Sequence, residues 1–164
     1  MATRSTIALE FADGTVQQVY CHWDGYLDHN GKILIQHYKD PFKLRDLIDL
    51  GDVSSLGKVI GNQRPFSKFE IDNEDPEREA KLALIEKAEA EGWCNFYGRD
   101  RGETGVEAKK FKDFEDYKAN HQYEEYEYIL RTDGNWYVCK YNGSYELLSA
   151  AIEAEAAERE AEEA

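Results

Sequence analysis

The sequence predicts an α+β fold in a single domain: an antiparallel sheet built from two Asp-Gly hairpins, with helices packed on it. Two observations carry this. Ser5 to Phe11 and Thr15 to Trp23 are rich in β-branched and aromatic residues and flank Asp13-Gly14, while Tyr126 to Tyr141 repeats the arrangement around Asp133-Gly134. Between the hairpins lie segments with helical spacing and helix-capping signals, so strands and helices are segregated rather than alternating.

The elements follow in order. With Asp13-Gly14 as a two-residue turn, Phe11 faces Val16, Leu9 faces Gln18 and Ile7 faces Tyr20, while Ala8 faces Val19 and Thr6 faces Cys21. Apolar side chains on both faces place this hairpin inside a larger sheet or under helices. Asp24-Gly25 ends it. Lys32 to Tyr38 carries Ile33, Leu34, His37 and Tyr38 at helical spacing. Asp40-Pro41 is an N-cap followed by proline at the first helical position. Phe42, Leu44, Leu47, Ile48 and Leu50 then form an apolar stripe that Gly51 stops. Asp52 to Gly57 reads as a turn or cap, and 58–74 as irregular chain anchored by Phe66, Phe69 and Ile71.

Asp75-Pro76 repeats the cap-plus-proline signal before a helix over 76–91, with a Glu77–Lys81 pair and Gly92 as its stop. Trp93 to Tyr97 reads as a strand, and Gly98 to Gly105 as a polar loop. Phe111, Phe114 and Tyr117, three apart, give 107–120 a helical stripe. In the second hairpin a two-residue turn pairs Leu130 with Tyr137, Tyr128 with Cys139 and Tyr126 with Tyr141. It also sets Arg131 opposite Trp136 and Glu127 opposite Lys140. Ser144 caps a last helix packed through Tyr145, Leu147, Leu148 and Ile152. The domain is thus 1–153, and 154–164, with only Ala, Glu and Arg159, is an acidic helical or frayed tail.

A chain of 164 residues, 41% apolar and 13% aromatic, buries a core without disulfides or metal. No apolar run approaches membrane-spanning length, and the N-terminus lacks the apolar stretch of a secretory signal. Cys21, Cys94 and Cys139, an odd number without CxxC spacing, read as reduced thiols in a cytoplasmic protein. Net charge is −14: residues 1–64 contribute −1 and residues 65–164 contribute −13. Such a field repels nucleic acid and anionic membrane and favours proteins with basic surfaces.

Few residues point to chemistry. Cys21, His22, Asp24 and His29 are the densest metal-capable set, but Cys21 and His22 alternate across a strand and no zinc spacing supports them. Trp23 is expected in the core and His22 partly exposed. Neither a metal site, a cofactor site nor a nucleophile–base pair emerges, so no catalytic residue is assigned and the chain is expected not to be an enzyme. Arg99 and Arg101, in a glycine-flanked segment without a phosphate-loop motif, are candidates for binding a nucleotide-like anion. Glu124, Glu125 and Glu127 interleave with Tyr123, Tyr126 and Tyr128. An acidic, aromatic surface of this kind imitates the phosphates and bases of nucleic acid. The candidate partner-binding residues are therefore Tyr123, Glu124, Glu125, Tyr126 and Glu127, with Glu155 and Glu158 of the tail.

Several blocks resemble a family of small acidic proteins of tailed bacteriophages. They are Met1 to Ile7, Asp13-Gly14-Thr15-Val16, Val19 to Tyr26, Asn30-Gly31, His37-Tyr38, Leu50-Gly51-Asp52, Ser54-Ser55-Leu56, and Asp133-Gly134 with Trp136-Tyr137-Val138. The resemblance brings no catalytic residues. It implies an accessory protein in the host bacterial cytoplasm that binds and inhibits a host or antiviral-defence protein with a basic surface. The alternative is a small-ligand binding protein or sponge for a nucleotide-like anion.

Overall fold

A computed structural model describes residues 2–163. Met1, which opens the first resembling block, and Ala164, which ends the expected tail, lie outside the described residues. Strands β1 (Ser5–Glu10) and β2 (Val16–Cys21) form the first hairpin, and β6 (Tyr126–Leu130) and β7 (Trp136–Lys140) form the second. Both are closed by Asp-Gly, as expected, but by three-residue loops. Gly14 N donates to Phe11 O (2.8 Å) and Phe11 N to Thr15 O (2.8 Å). Gly134 N donates to Arg131 O (3.0 Å) and Arg131 N to Asn135 O (3.1 Å). Only the glycines take positive φ, +92° and +82°; neither aspartate does. Each aspartate instead accepts a hydrogen bond two residues on, from Thr15 N and Asn135 N. This is a type I turn followed by a glycine bulge rather than a type I′ turn.

The extra loop residue shifts each register by one. Ile7 faces Val19, Tyr128 faces Val138, Glu127 faces Cys139 and Leu130 faces Trp136. A one-residue shift moves side chains to the other face of the sheet. Cys139 therefore lies with Glu127 and not with Tyr128, and the expected Glu127–Lys140 and Arg131–Trp136 pairs do not form. Arg131 instead pairs with Glu10 (3.0 Å) and lies 3.6 Å over the Phe114 ring.

The two hairpins share one sheet, and β1 and β6 join them in parallel, Ser5 beside Tyr126 through Leu9 beside Leu130. The sheet is therefore mixed. β3 (Val53–Ser55), in the segment expected to be a turn, runs parallel to β2. Of the expected strand over 93–97, β4 (Asn95–Phe96) joins the sheet and Trp93 makes only an isolated parallel bridge to Val59. β5 (Lys109–Phe111) also pairs with β2, and β8 (Tyr145–Leu147) pairs with β7. The order is β4-β3-β2-β1-β6-β7-β8, with β5 beside β2. The fold is α+β, with six α-helices among the described residues.

One face of the sheet packs Ile7, Leu9, Val19, Tyr128, Leu130 and Val138 against α1 (Lys32–His37), α2 (Pro41–Asp49) and α6 (Leu148–Glu163). α2 forms as its sequence dictates: the Asp40 carboxylate accepts from Phe42 N (2.9 Å), Pro41 starts it, and Leu44, Leu47 and Ile48 are fully buried. The other face packs Ala8, Val16 and Ile129 against Phe111 and Tyr117. Here the expected helix over 107–120 is a strand and a helix. Residues 109–111 extend the sheet along β2, then the Asp113 carboxylate accepts from Asp116 N (2.7 Å) and caps α5 (Phe114–Asn120). The aromatic stripe survives the break, because Phe111 reaches Tyr117 from β5 and Phe114 stacks on it from within α5, at centroid distances of 5.5 and 5.9 Å.

α3 (Arg78–Glu91) ends on Gly92 in the left-handed conformation, as expected, but it starts two residues later than expected: Asp75 accepts from Glu77 N in a turn before the helix, and Glu77 stands at the N-cap without a side-chain cap. Lys81 pairs with Asp75 (2.5 Å) rather than Glu77. The expected polar loop at 98–105 begins as a helical turn, α4 (Tyr97–Arg101). Ser144 does not cap the last helix; β8 intervenes. α6 then runs unbroken across residues 153 and 154, and Arg159 reaches Asp28 (3.5 Å) in the π-helical turn Leu27–Gly31. Phe69, expected as an anchor, is 87% exposed, and Trp23 is half out of the core, edge-on to His22.

Candidate functional site

The candidate partner-binding residues divide at the start of β6: Tyr123, Glu124 and Glu125 precede the strand, and Tyr126 and Glu127 lie on it. Tyr123 is exposed and Glu124 and Glu125 are half-buried, but Tyr126 and Glu127 are buried. This corrects the expectation of one continuous acidic, aromatic surface. Tyr126 turns to the larger core, and the register places Glu127 on the smaller one, beneath α5. In α6 Glu155 is half-buried and Glu158 is exposed.

Glu127 lies at the centre of a buried polar cluster that the sequence did not reveal. His121 stands at the C-cap of α5, its ring stacked on Tyr117 one turn earlier (centroids 4.4 Å apart). His121 Nδ1 donates to the Tyr117 carbonyl oxygen (2.5 Å), and Nε2 meets Glu127 Oε1. Tyr145 donates its hydroxyl to the same Oε1 (3.3 Å). The side chains of His121 and Glu127 are 1% and 0% exposed. Three buried polar atoms on this face have no hydrogen-bond partner among the described residues: Glu127 Oε2, Tyr117 Oη and Thr6 Oγ1. Thr6 is the cross-strand neighbour of Glu127.

The hydrogen bonds fix the protonation of the pair. A carbonyl oxygen only accepts, so Nδ1 carries a hydrogen, and a single proton is held between Nε2 and Oε1. Burial pushes the Glu127 carboxyl up to about 7 and holds the His121 imidazole below its ordinary range. Burial, reinforced by the Glu127 charge, raises the Cys139 thiol to about 11, so it is not a reactive thiolate. A cleft of about 350 Å³ lies above the pair, with Lys118, Tyr123, Asn142 and Ser144 on its walls. A carboxyl that titrates near neutrality is suited to proton transfer, but here both partners are sealed. The cluster acts as a titratable strut between α5 and the sheet.

Arg99 does not present a free guanidinium. It donates to Ile60 O, Gly61 O and Cys94 O (3.0–3.1 Å) and forks onto Asp100, whose side chain is fully buried. Asp100 also accepts from Arg64 N and Phe96 N, so this pair ties three segments together. Arg101 is half-exposed and engaged by Glu70 (3.0 Å) and Glu103 (3.7 Å). The two arginines do not converge on a common anion site.

Cys21 and His22 point to opposite sides of β2, as expected from alternation. The Cys21 thiol bonds within the core, His22 Nδ1 meets Tyr20 Oη (2.6 Å), and His29 meets Asn30. No group of three His, Cys, Asp or Glu able to hold a metal occurs among the described residues. No protein-family model, no curated protein and no solved structure matches this chain.

Proposed function

We propose that this chain is an accessory protein of a tailed bacteriophage that acts in the host cytoplasm without catalysing a reaction. In this reading it binds and inhibits a bacterial host or antiviral-defence protein through an acidic surface facing the partner's basic one. The observation that carries the proposal is α6. Glu153, Glu158, Glu160, Glu162 and Glu163 are exposed along it, and only Leu148, Ala151 and Ile152 near its start pack on the core. Carboxylates spread around the exposed turns of this helix concentrate negative charge that a groove built for nucleic acid can accept, while the −13 carried by residues 65–164 steers basic surfaces toward it. Glu124, Glu125 and Tyr123 extend the surface; Tyr126 and Glu127 serve the fold instead.

Three buried free cysteines and the absence, among the described residues, of a helix long and apolar enough to cross a membrane agree with this setting. The alternative anion site at Arg99 and Arg101 loses support because their donors are already engaged. Affinity capture from infected cells identifies the partner. Its association rate with the purified chain is then expected to fall steeply between about 0.05 and 0.5 M salt, over which the screening length shrinks from above 10 Å to a few ångströms. A rate independent of salt refutes the acidic-surface mechanism.

A further inference from the structure

The parallel joint between β1 and β6 sets the two hairpin loops side by side, and the start of α2 lies against them. Together they enclose a cleft of about 500 Å³, within the size range of small-molecule sites. Its floor is the buried pair Leu9 and Leu130, and Phe42 stands at its lip with 67% of its surface exposed. The polar groups around this apolar floor are mainly cationic: Lys39, Arg45 and Arg131, against one carboxylate, Glu10. Glu10 is already consumed, accepting from Arg131 Nε and Nη2 and from Thr132 N and Oγ1.

Among the described residues Lys39 and Arg45 form no ion pair. Arg45 passes over the Phe42 ring (5.4 Å) instead of reaching Asp49 one turn on. In a chain with 34 acidic and 20 basic residues, two neighbouring cations without a carboxylate beside an open apolar cleft form a local exception to the charge pattern.

We propose that this cleft binds a small amphipathic anion, a carboxylate carried on an aromatic ring or medium-length apolar chain. The apolar part lies on Leu9, Leu130 and Phe42, and the carboxylate meets Lys39 and Arg45 at the rim, where Arg offers a two-pronged contact. The negative charge of the whole chain disfavours indiscriminate anion binding, so an anion retained here is held by these local groups.

The test is an NMR titration of the full chain with phenylbutyrate and, separately, with its uncharged amide. Phenylbutyrate is expected to shift the backbone amides of residues 9–12, 39–45 and 130–134 and to bind about tenfold more tightly than the amide. Lys39→Ala plus Arg45→Ala, at exposed positions that leave the core intact, is expected to make the two probes bind alike. Phe42→Ala is expected to weaken both. Absence of saturable shifts, equal binding of acid and amide by the native protein, shifts centred on another face, or a double variant that keeps the preference for the acid would each overturn the proposal.

Discussion

Replacing Glu127 with Gln uncouples two titrations that oppose one another in the native protein. A carboxyl raised on folding contributes most when protonated; that contribution is lost as pH rises from its ordinary 4.5 toward about 7. An imidazole lowered on folding contributes in the opposite sense, and its stability is lost as pH falls below 6.5. Between 4.5 and 6.5 the folded pair holds one proton, and so does the unfolded chain, with glutamate ionised and histidine charged. Equal proton counts leave the native pair without a slope in that interval.

In Glu127→Gln only the histidine remains. The amide can donate to Nε2, preserving the contact and the neutral ring. Stability should then fall by about 1.4 kcal/mol per unit as pH drops below 6.5, or about 2.7 kcal/mol by pH 4.5 while the ring stays neutral. Above 6.5 the order reverses: the native protein loses about 0.7 kcal/mol on the way to pH 7, and the variant loses nothing from this site. Urea denaturation of both proteins from about pH 4.5 to 8 measures this, because titrations elsewhere cancel in the difference. Parallel profiles would refute the single shared proton.

Arg99→Ala strands the fully buried Asp100 carboxylate and should cost about 3 kcal/mol or more, whereas Arg101→Ala, half-exposed, should cost under about 1 kcal/mol; equal losses in denaturant melts would contradict the structural role of Arg99. Gly134→Val meets no atom within 4 Å of its new Cβ but must hold φ near +82°, so a loss of about 1–3 kcal/mol in the same assay isolates backbone strain. Truncation after Glu153 removes five acidic residues and Arg159, with its contact to Asp28, and should leave the melting temperature within a few degrees while slowing association with a basic partner. A large fall in melting temperature would mean that the distal half of α6 supports the fold.

The turns were legible because Asp-Gly satisfies a backbone requirement that few other dipeptides meet. Their register was not, because the same dipeptide closes two loop lengths. A type I′ turn needs positive φ at both residues and a bulged type I turn only at the glycine, and Ala12 and Thr132 are acceptable in either. That single residue decides whether Glu127 faces Lys140 in water or His121 in the interior, so the candidate site was hidden by the same ambiguity. Helix α2 could be placed from local signals, Asp-Pro before and Gly after, and α3 from its Gly stop, although its Asp75-Pro76 signal sits two residues ahead of the helix it was expected to start. The split at 107–120 could not, because a spacing of three suits both a continuous helix and a ring on a strand meeting two rings on the helix that follows it. Arg99 looked free because nothing local marks the three carbonyls, 5 to 39 residues away, that consume its donors.

The parallel seam between β1 and β6 has a consequence for how the chain matures. The first hairpin is local and forms in microseconds, but the neighbour that completes β1 lies about 120 residues further along. On a ribosome adding about 5–20 residues per second, the β1 edge waits on the order of 10 s before β6 emerges. During that interval it offers Ser5, Thr6, Ile7, Ala8 and Leu9 as an unpaired and largely apolar template. Strand pairing with other nascent chains competes with docking in that window. Yield at high expression should therefore depend on synthesis rate and temperature more than on the stability of the finished protein.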